Sequence, residues 1–322
     1  MRLPPIRCAL LLVLALVLAA CQGRDDPAQP GGRTPEAAVQ SSIELLKSND
    51  LKGWWKHALP PAEYARMRAD WIRHQQQRPP LTAQDRARFA RLLQQLTEPG
   101  AENKLYATLQ PKLSRMQQQY SDQLPILISV GEAFLKNGLA QNAQLTAEQK
   151  AQAAGVLDAL LPWAKQAAWF DQTKARQAID VIVATTRKLP AKSLDQLRAM
   201  DFDASMDTYA GALAGARQLL AIYGLSVDDV LKSVRLTPVS LSPGHAVVKI
   251  DYTLLGKPLS TESRLVEVDG RWYSQDVLEN VQNAHRQLEQ APVGAASTGI
   301  PGTAAAPTAS AGAQAGTGHP LH

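Results

Sequence analysis

The sequence predicts a mostly helical α+β protein that ends in an antiparallel meander sheet. In residues 34–223, apolar side chains recur every three or four positions between capping residues, which is typical of successive amphipathic helices. In residues 234–273, apolar and polar residues alternate between tight-turn signals, which is typical of short antiparallel strands. Aromatic residues make up only 5% of the chain, whereas Ala, Leu and Gln are abundant, and this composition favours helices.

The N-terminus has the pattern of an export signal. Arg2 and Arg7 supply positive charge, and residues 8–20 form an uncharged run rich in Leu, Val and Ala. Its 13 residues fit the apolar core of a signal peptide, about 7–15 residues, and fall short of the roughly 20 that a membrane span needs. The sequence therefore predicts export.

The end of this run resembles the bacterial lipobox, in which small residues precede a cysteine. The letters LAAC end on Ala20 and Cys21. The resemblance implies cleavage between these two residues and acylation of Cys21, and two or three acyl chains anchor a protein stably in a membrane. Since Gln22 rather than Asp follows, the resemblance implies the periplasmic face of the outer membrane rather than the inner membrane. The alternatives are a secretory signal cut after Ala20 and an uncleaved short anchor.

Cysteine content and charge limit the function classes. The chain has two cysteines: Cys8 would leave with the signal peptide, and Cys21 would carry lipid. The mature protein would then have neither a disulfide nor a free thiol, which excludes thiol catalysis and a cysteine metal site. Loss of Arg2 and Arg7 leaves 32 basic against 29 acidic residues, close to +3. This weak charge argues against nucleic-acid binding.

The first predicted helix begins after the N-cap Thr34, with Pro35 in its first turn. It ends near 48–50, and a short segment with Trp54 and Trp55 follows. A second helix is predicted from about Ala62 to His74.

Residues 81–223 predict a further series of helices. Thr82 is a candidate N-cap, and Thr146 with Gln149 predicts a capping box. The most apolar helix covers 124–139, and we expect it to be buried in the core, the alternative being one half of a partner groove. The small residues of 211–215 indicate close packing of the last helix, which ends near Tyr223.

Residues 224–290 predict a short helix, four strands and a terminal helix. The expected elements are a helix at 226–232, strands at 234–241, 245–255 and 259–268, a last strand from Arg271, and a helix at 276–289. Asp269-Gly270 is a strong hairpin signal. Val248, Ile250, Tyr252 and Leu254 share one strand face, which we expect to point inward, whereas Asp251 points outward.

Composition divides the chain into six segments. These are a signal peptide at 1–20, a flexible tether at 21–33, N-terminal helices at 34–80, a helical domain or insertion at 81–223, the sheet region at 224–290, and a disordered tail at 291–322. The tether is rich in Gly and Pro, and the tail has too few large apolar residues to form a core.

Both ends of the folded region resemble domains of the nuclear transport factor 2-like superfamily. The segments TPEAAVQSSIELLKSNDLKGWW and VSLSPGHAVVKIDYTLLGKPLSTESRLVEVDGRWYSQD carry the resemblance, which covers roughly 34–75 and 226–290. It implies a curved sheet around N-terminal helices, with a pocket between them. The helices of 81–223 would then be a large insertion. The alternative is a helical domain followed by an unrelated small sheet.

The sequence contains no familiar catalytic spacing. The patterns H-E-x-x-H, G-x-S-x-G and S-x-x-K are absent, and so is a Gly-rich phosphate loop. His57, His74, His245 and His285 are scattered, which predicts no metal site and no cofactor. Trp54, Trp55, Tyr252 and Trp272 are the candidate pocket or core aromatics.

These observations predict a membrane-anchored periplasmic lipoprotein that acts as a non-catalytic binding or scaffold module of the cell envelope. Its partner would be an envelope protein, a glycan or a lipid. Two alternatives remain open. One is an immunity-type inhibitor of a periplasmic toxin hydrolase, and the other is a pocket enzyme of a nuclear transport factor 2-like fold.

Overall fold

The computed structural model describes residues 26–143 and 145–290. The predicted signal peptide, the cleavage and lipidation site at Ala20 and Cys21, and the predicted tail at 291–322 lie outside these ranges. The described chain is mostly helical, with a four-stranded antiparallel sheet toward its C-terminal end, as predicted.

The helices follow the predicted order closely. They are α1 (Pro35–Lys47), α2 (Leu51–Ala58), α3 (Pro61–Gln77), α4 (Ala83–Thr97), α5 (Ala101–Tyr120), α6 (Leu124–Gln141), α7 (Ala147–Gln166), α8 (Gln172–Arg187), α9 (Leu194–Arg198), α10 (Phe202–Ile222), α11 (Val227–Ser233) and α12 (Gln275–Gln290). The Thr34 hydroxyl accepts a hydrogen bond from the Ala37 amide, at 3.2 Å. Thr82 and Thr146 both form capping boxes. The predicted helix starts are therefore confirmed.

Two short helices differ from the prediction. The segment around Trp54 is part of a full helix, α2, and Asp50 caps it by accepting from the Gly53 amide at 2.7 Å. Helix α9 was not predicted at all. Five residues are too few to show a helical period, although Ser193 provides a side-chain cap.

The sheet is a simple meander in the order β1-β2-β3-β4. Its strands are β1 (Arg235–Ser242), β2 (His245–Leu254), β3 (Lys257–Val268) and β4 (Arg271–Ser274). The last hairpin turns at Asp269 and Gly270, whose φ angles of 52° and 73° are those of a tight hairpin turn. Strand β1 forms one edge, and Pro238 together with a register shift before Ser240 interrupts it.

Helix α1 packs on one face of the sheet. Ala38, Val39 and Ile43 contact a buried set of sheet residues: Ala246, Val248, Leu265 and Trp272. Ile250 packs at the edge of this cluster. The strand face that carries Val248 and Ile250 therefore points inward, as predicted.

The helices outside the sheet region form clusters of their own. Trp71 of α3 meets Phe202 of α10 edge to face, with ring centroids 5.7 Å apart, and Met206 completes this buried group. A further cluster joins Ala101 of α5 to Ile179 and Val183 of α8. Helices α4 and α5 therefore pack against α8, away from the sheet.

The last residues of the predicted flexible tether are bound to the fold. The Gly31 amide donates to the His57 carbonyl at 2.8 Å, and Arg271 donates to the Gly31 carbonyl at 2.6 Å. Gly32 pairs with Trp272 as an isolated antiparallel bridge. A flexible tether over the whole of 21–33 is thus wrong at its C-terminal end, because residues 29–32 hydrogen bond to α2 and β4.

Helix α6 does not lie in the core, contrary to the prediction for 124–139. It has no buried residue, and 71% of Phe134 and 64% of Ile126 are exposed. The charged side of α6 faces α7, where Glu132 binds Lys165 at 2.9 Å. The apolar side consequently faces outward, and hydrophobicity alone could not predict this orientation.

Close packing was predicted for the small residues 211–215 of α10, and it is confirmed at Gly215 but not at Gly211. A Cβ atom on Gly215 would lie 2.5 Å from the Thr185 hydroxyl, so α10 and α8 are in close contact there. A Cβ atom on Gly211 would meet nothing within 4 Å.

Candidate functional site

A polar cleft of about 660 Å³ lies between the first half of α7 and strands β2 and β3. Helix α7 contributes amide side chains and the carboxylate of Glu148, its N-cap contributes a hydroxyl, and the strands contribute charged, hydroxyl and aromatic side chains. The lining includes Thr146, Gln149, Gln152, Lys249, Tyr252, Thr261, Arg264 and Asp276. The cleft therefore joins the helical region of 81–223 to the sheet region, two segments that the sequence separates.

Two local features hold α7 against the sheet. Gly155 lies over β3, where a Cβ atom would be 3.2 Å from a methyl group of Leu259. Three residues further along α7, Asp158 pairs with Lys257 at 3.5 Å. The capping box at Thr146 fixes the start of α7 at the mouth of the cleft.

Tyr252 is the aromatic residue of this cleft. It lies opposite Leu259 in the pairing of β2 with β3, and it is half-buried. Burial raises the pKa of its phenol above the usual value of 10.0, so the group is neutral at physiological pH. Tyr252 therefore offers an apolar ring together with a hydroxyl that can donate or accept a hydrogen bond.

Two ion pairs lie at the cleft, and the carboxylates of Glu148 and Glu262 line it as well. Lys249 binds Asp251 at 2.9 Å, and Arg264 binds Asp276 at 2.9 Å. Asp251 is thus a surface residue with an ionic partner, in agreement with its predicted outward direction. The lining carries two basic and three acidic side chains, so the cleft is suited to a polar ligand without a negative charge.

The other candidate aromatics belong to packed clusters. Trp272 is buried under α1. Trp54 and Trp55 meet edge to face with centroids 5.0 Å apart, and Trp55 packs against the cluster around Trp71. The structure therefore brings Tyr252 to a cleft and uses the three tryptophans for packing.

The four histidines remain apart. His57 is buried, and its ring nitrogens lie 2.8 Å from the Gln29 carbonyl oxygen and 3.0 Å from that of Ala38. His285 pairs with Asp70 at 2.6 Å, a contact across 215 residues that no sequence pattern indicated. Burial lowers the pKa of His74, whereas His245 is exposed. Within the described ranges, no group of three or more His, Cys, Asp or Glu residues could hold a metal ion.

A smaller cleft of about 400 Å³ lies at the other end of α7. Trp163 lines it and donates from its indole N–H to the Tyr223 carbonyl at 2.8 Å. Trp169 stacks on the Tyr223 ring at 5.1 Å. These contacts fasten the C-terminal end of α7 to the end of α10, so both tryptophans have a packing role.

No protein-family model, no curated protein and no solved structure matches the chain. In the part of the chain that the structure covers, no single helix is both long and apolar enough to cross a membrane. The bent pair of α10 and α11, with 96° between its helices, meets that test by length and composition only.

Proposed function

We propose that this chain is a lipid-anchored, non-catalytic binding module of the cell envelope. Cys21 carries the lipid that holds it at the periplasmic face of the outer membrane, and the cleft beside Tyr252 binds a glycan of the envelope. The observation that carries this proposal is the cleft itself. It combines one aromatic ring with amide and hydroxyl groups, and its two basic and three acidic side chains give it no net positive charge.

The size and chemistry of the cleft support a sugar ligand. A volume of about 660 Å³ lies within the roughly 300–1,000 Å³ of small-molecule sites. A sugar has apolar ring faces that pack on aromatic side chains, and hydroxyl groups that match Thr146, Gln152 and Thr261. The ligand would contact α7 and β3 together, so binding would depend on the contact between these elements.

Binding can be tested with the lipidated full chain and purified cell-wall glycan in a co-sedimentation assay. We expect Tyr252→Ala to weaken binding about tenfold or more, because Tyr252 supplies the one aromatic ring of the lining. Tyr120→Ala is the matched control, since Tyr120 ends α5 and does not line this cleft. Equal binding by both variants, or no binding by the unchanged protein, would contradict a glycan site here.

The anchor can be tested by labelling cells with palmitate. Cys21→Ser should abolish labelling, and the protein should no longer partition into membranes as a lipidated species. Cys8→Ser is the matched control, because Cys8 lies inside the predicted signal peptide and should not affect the label. Continued labelling of the Cys21 variant would refute the assignment of the lipid to this residue.

A further inference from the structure

Helix α6 exposes a continuous apolar face to solvent. Its members are Ile126 (64% exposed), Leu127 (56%), Val130 (65%), Phe134 (71%) and Leu135 (52%). None of them carries a charge. Together they form a patch on the order of 600 Å², which is at the upper limit for a typical monomer and is common at interaction sites.

Ion pairs fix the direction in which this face points. On the opposite side of α6, Lys136 binds Glu132 at 2.9 Å and Asp158 of α7 at 2.8 Å. Glu132 also binds Lys165 of α7 at 2.9 Å. Rotating α6 to bury its apolar face would break the two pairs that cross to α7, so the face stays outward in the folded chain.

Large and small residues alternate along this face at heptad spacing. Leu127, Gly131, Phe134 and Gly138 follow one another at intervals of four, three and four residues, the seam of a helix pair. A Cβ atom on either glycine would meet nothing within 4 Å. Each glycine is therefore an open depression next to an exposed large side chain.

We propose that α6 binds α6 of a second copy of this chain in an antiparallel, two-fold symmetric pair. In one antiparallel register, Phe134 lies over Gly131 of the partner subunit, and Leu127 lies over Gly138 of the partner subunit. Symmetry repeats both contacts, so each large side chain enters a depression left by a glycine. A parallel pair would instead place Phe against Phe and Gly against Gly, which leaves both clashes and voids.

The buried area agrees with a dimer of modest stability. Two patches on the order of 600 Å² bury roughly 1,200 Å², the lower limit for specific interfaces. The interface would contain no like charges that repel. A shared lipid anchor, which rests on the proposed function, would confine two copies to one membrane surface and raise their effective concentration.

Cross-linking of the full chain in native membranes tests this pairing. Val130→Cys places a thiol at the edge of the seam, and a short bis-maleimide should link two copies. Lys232→Cys is the matched control, because this side chain is 73% exposed on α11, outside the α6 face. The unchanged chain should give no product. If it does, Cys21 carries a free thiol, which contradicts the anchor but not the dimer.

A second substitution separates a dimer from a helix that rests on the bilayer. Adding Gly131→Leu to the Val130→Cys chain fills the depression, and a Cβ atom at this position meets nothing within 4 Å in its own subunit. For a dimer we expect the linked fraction to fall about tenfold, because overpacking opposes the close contact. A helix on the bilayer would tolerate the added apolar side chain and give no linked dimer in either chain. Any of three results would overturn the proposal. They are no linked dimer in either chain, equal linking of Val130→Cys and Lys232→Cys, and linking that stays unchanged when Gly131→Leu is added.

Discussion

Gly32 and Trp272 exchange two backbone hydrogen bonds, with N–O distances of 3.0 and 2.8 Å. Residues 26–32, the described part of the segment that follows the predicted lipid anchor (the anchor segment), therefore end as a one-residue extension of the sheet beside β4. Trp272 also packs under α1, so the same residue joins the sheet, the first helix and the anchor segment. If Cys21 carries the predicted lipid, the eight residues from Cys21 to Gln29 limit the distance from the membrane to at most roughly 25–30 Å.

Gly31→Ala should destabilise the protein more than an ordinary glycine substitution. Gly31 has a φ of 61°, and a Cβ atom there would lie 2.7 Å from the Tyr273 ring. Strain and clash together should lower the free energy of unfolding by about 3 kcal/mol. Gly100→Ala is the control, because its φ of 71° causes the same strain in open space and should cost about 1 kcal/mol. Equal losses in urea denaturation would show that the Tyr273 contact has no energetic role.

His57→Leu should release the anchor segment from the fold. The substitution removes a buried imidazole whose ring nitrogens lie 2.8 and 3.0 Å from the carbonyl oxygens of Gln29 and Ala38, and it leaves at least one of these oxygens without an N–H donor. We expect a loss of about 2–4 kcal/mol in the free energy of unfolding. Limited proteolysis should also cut near residue 29. His245→Leu, at an exposed position, should change stability by no more than about 0.5 kcal/mol. A His57 variant as stable and as resistant as this control would refute the role.

Gly215 and Gly211 should respond in opposite directions to replacement by alanine. At Gly215 the added methyl group would overlap Thr185, whose Cγ2 atom would lie 3.0 Å away. We expect a loss of about 1–2 kcal/mol there. At Gly211 the methyl group has open space, and the better helix propensity should add about 0.5–1 kcal/mol. Thermal unfolding of the two variants in parallel measures the difference, and a stabilised Gly215 variant would exclude tight packing of α10 on α8.

The α6–α7 hairpin should loosen at acid pH. Hydrogen bonds from Lys136 and Lys165 lower the pKa of Glu132 below 4.5, and hydrogen bonds from Lys136 lower that of Asp158 below 3.8. A carboxyl group whose pKa is lower in the folded than in the unfolded state stabilises the fold fully at pH values above its unfolded pKa. This stabilisation is lost as the pH falls through the folded pKa. The protection factors of the α6 amides, which correct for the intrinsic pH dependence of exchange, should therefore fall below about pH 4. Asp158→Asn should lower these protection factors already at pH 7 and reduce their dependence on pH. Protection factors that stay constant down to pH 3 would contradict the role of these pairs.

Local patterns predicted much of the fold because they act over a few residues. Thr82 and Thr146 cap helices through neighbours three residues away. Asp269-Gly270 defines a hairpin through its own backbone angles. The alternation of β2 places Val248 and Ile250 on the inner face for the same reason. The resemblance of both chain ends to nuclear transport factor 2-like domains stays a prediction, since no match tests it.

The sequence by itself determined the caps, the turns, the class of the fold and the predicted export signal at Cys21. The tertiary structure alone decided which way the most apolar helix points, where the anchor segment docks, and that α7 closes a cleft over Tyr252. These outcomes depend on contacts between distant parts of the chain, such as Gly32 with Trp272 or His285 with Asp70. A helical or alternating pattern indicates that one face of an element is apolar. Whether another element covers that face, or whether it stays exposed as on α6, is decided only when all elements pack together.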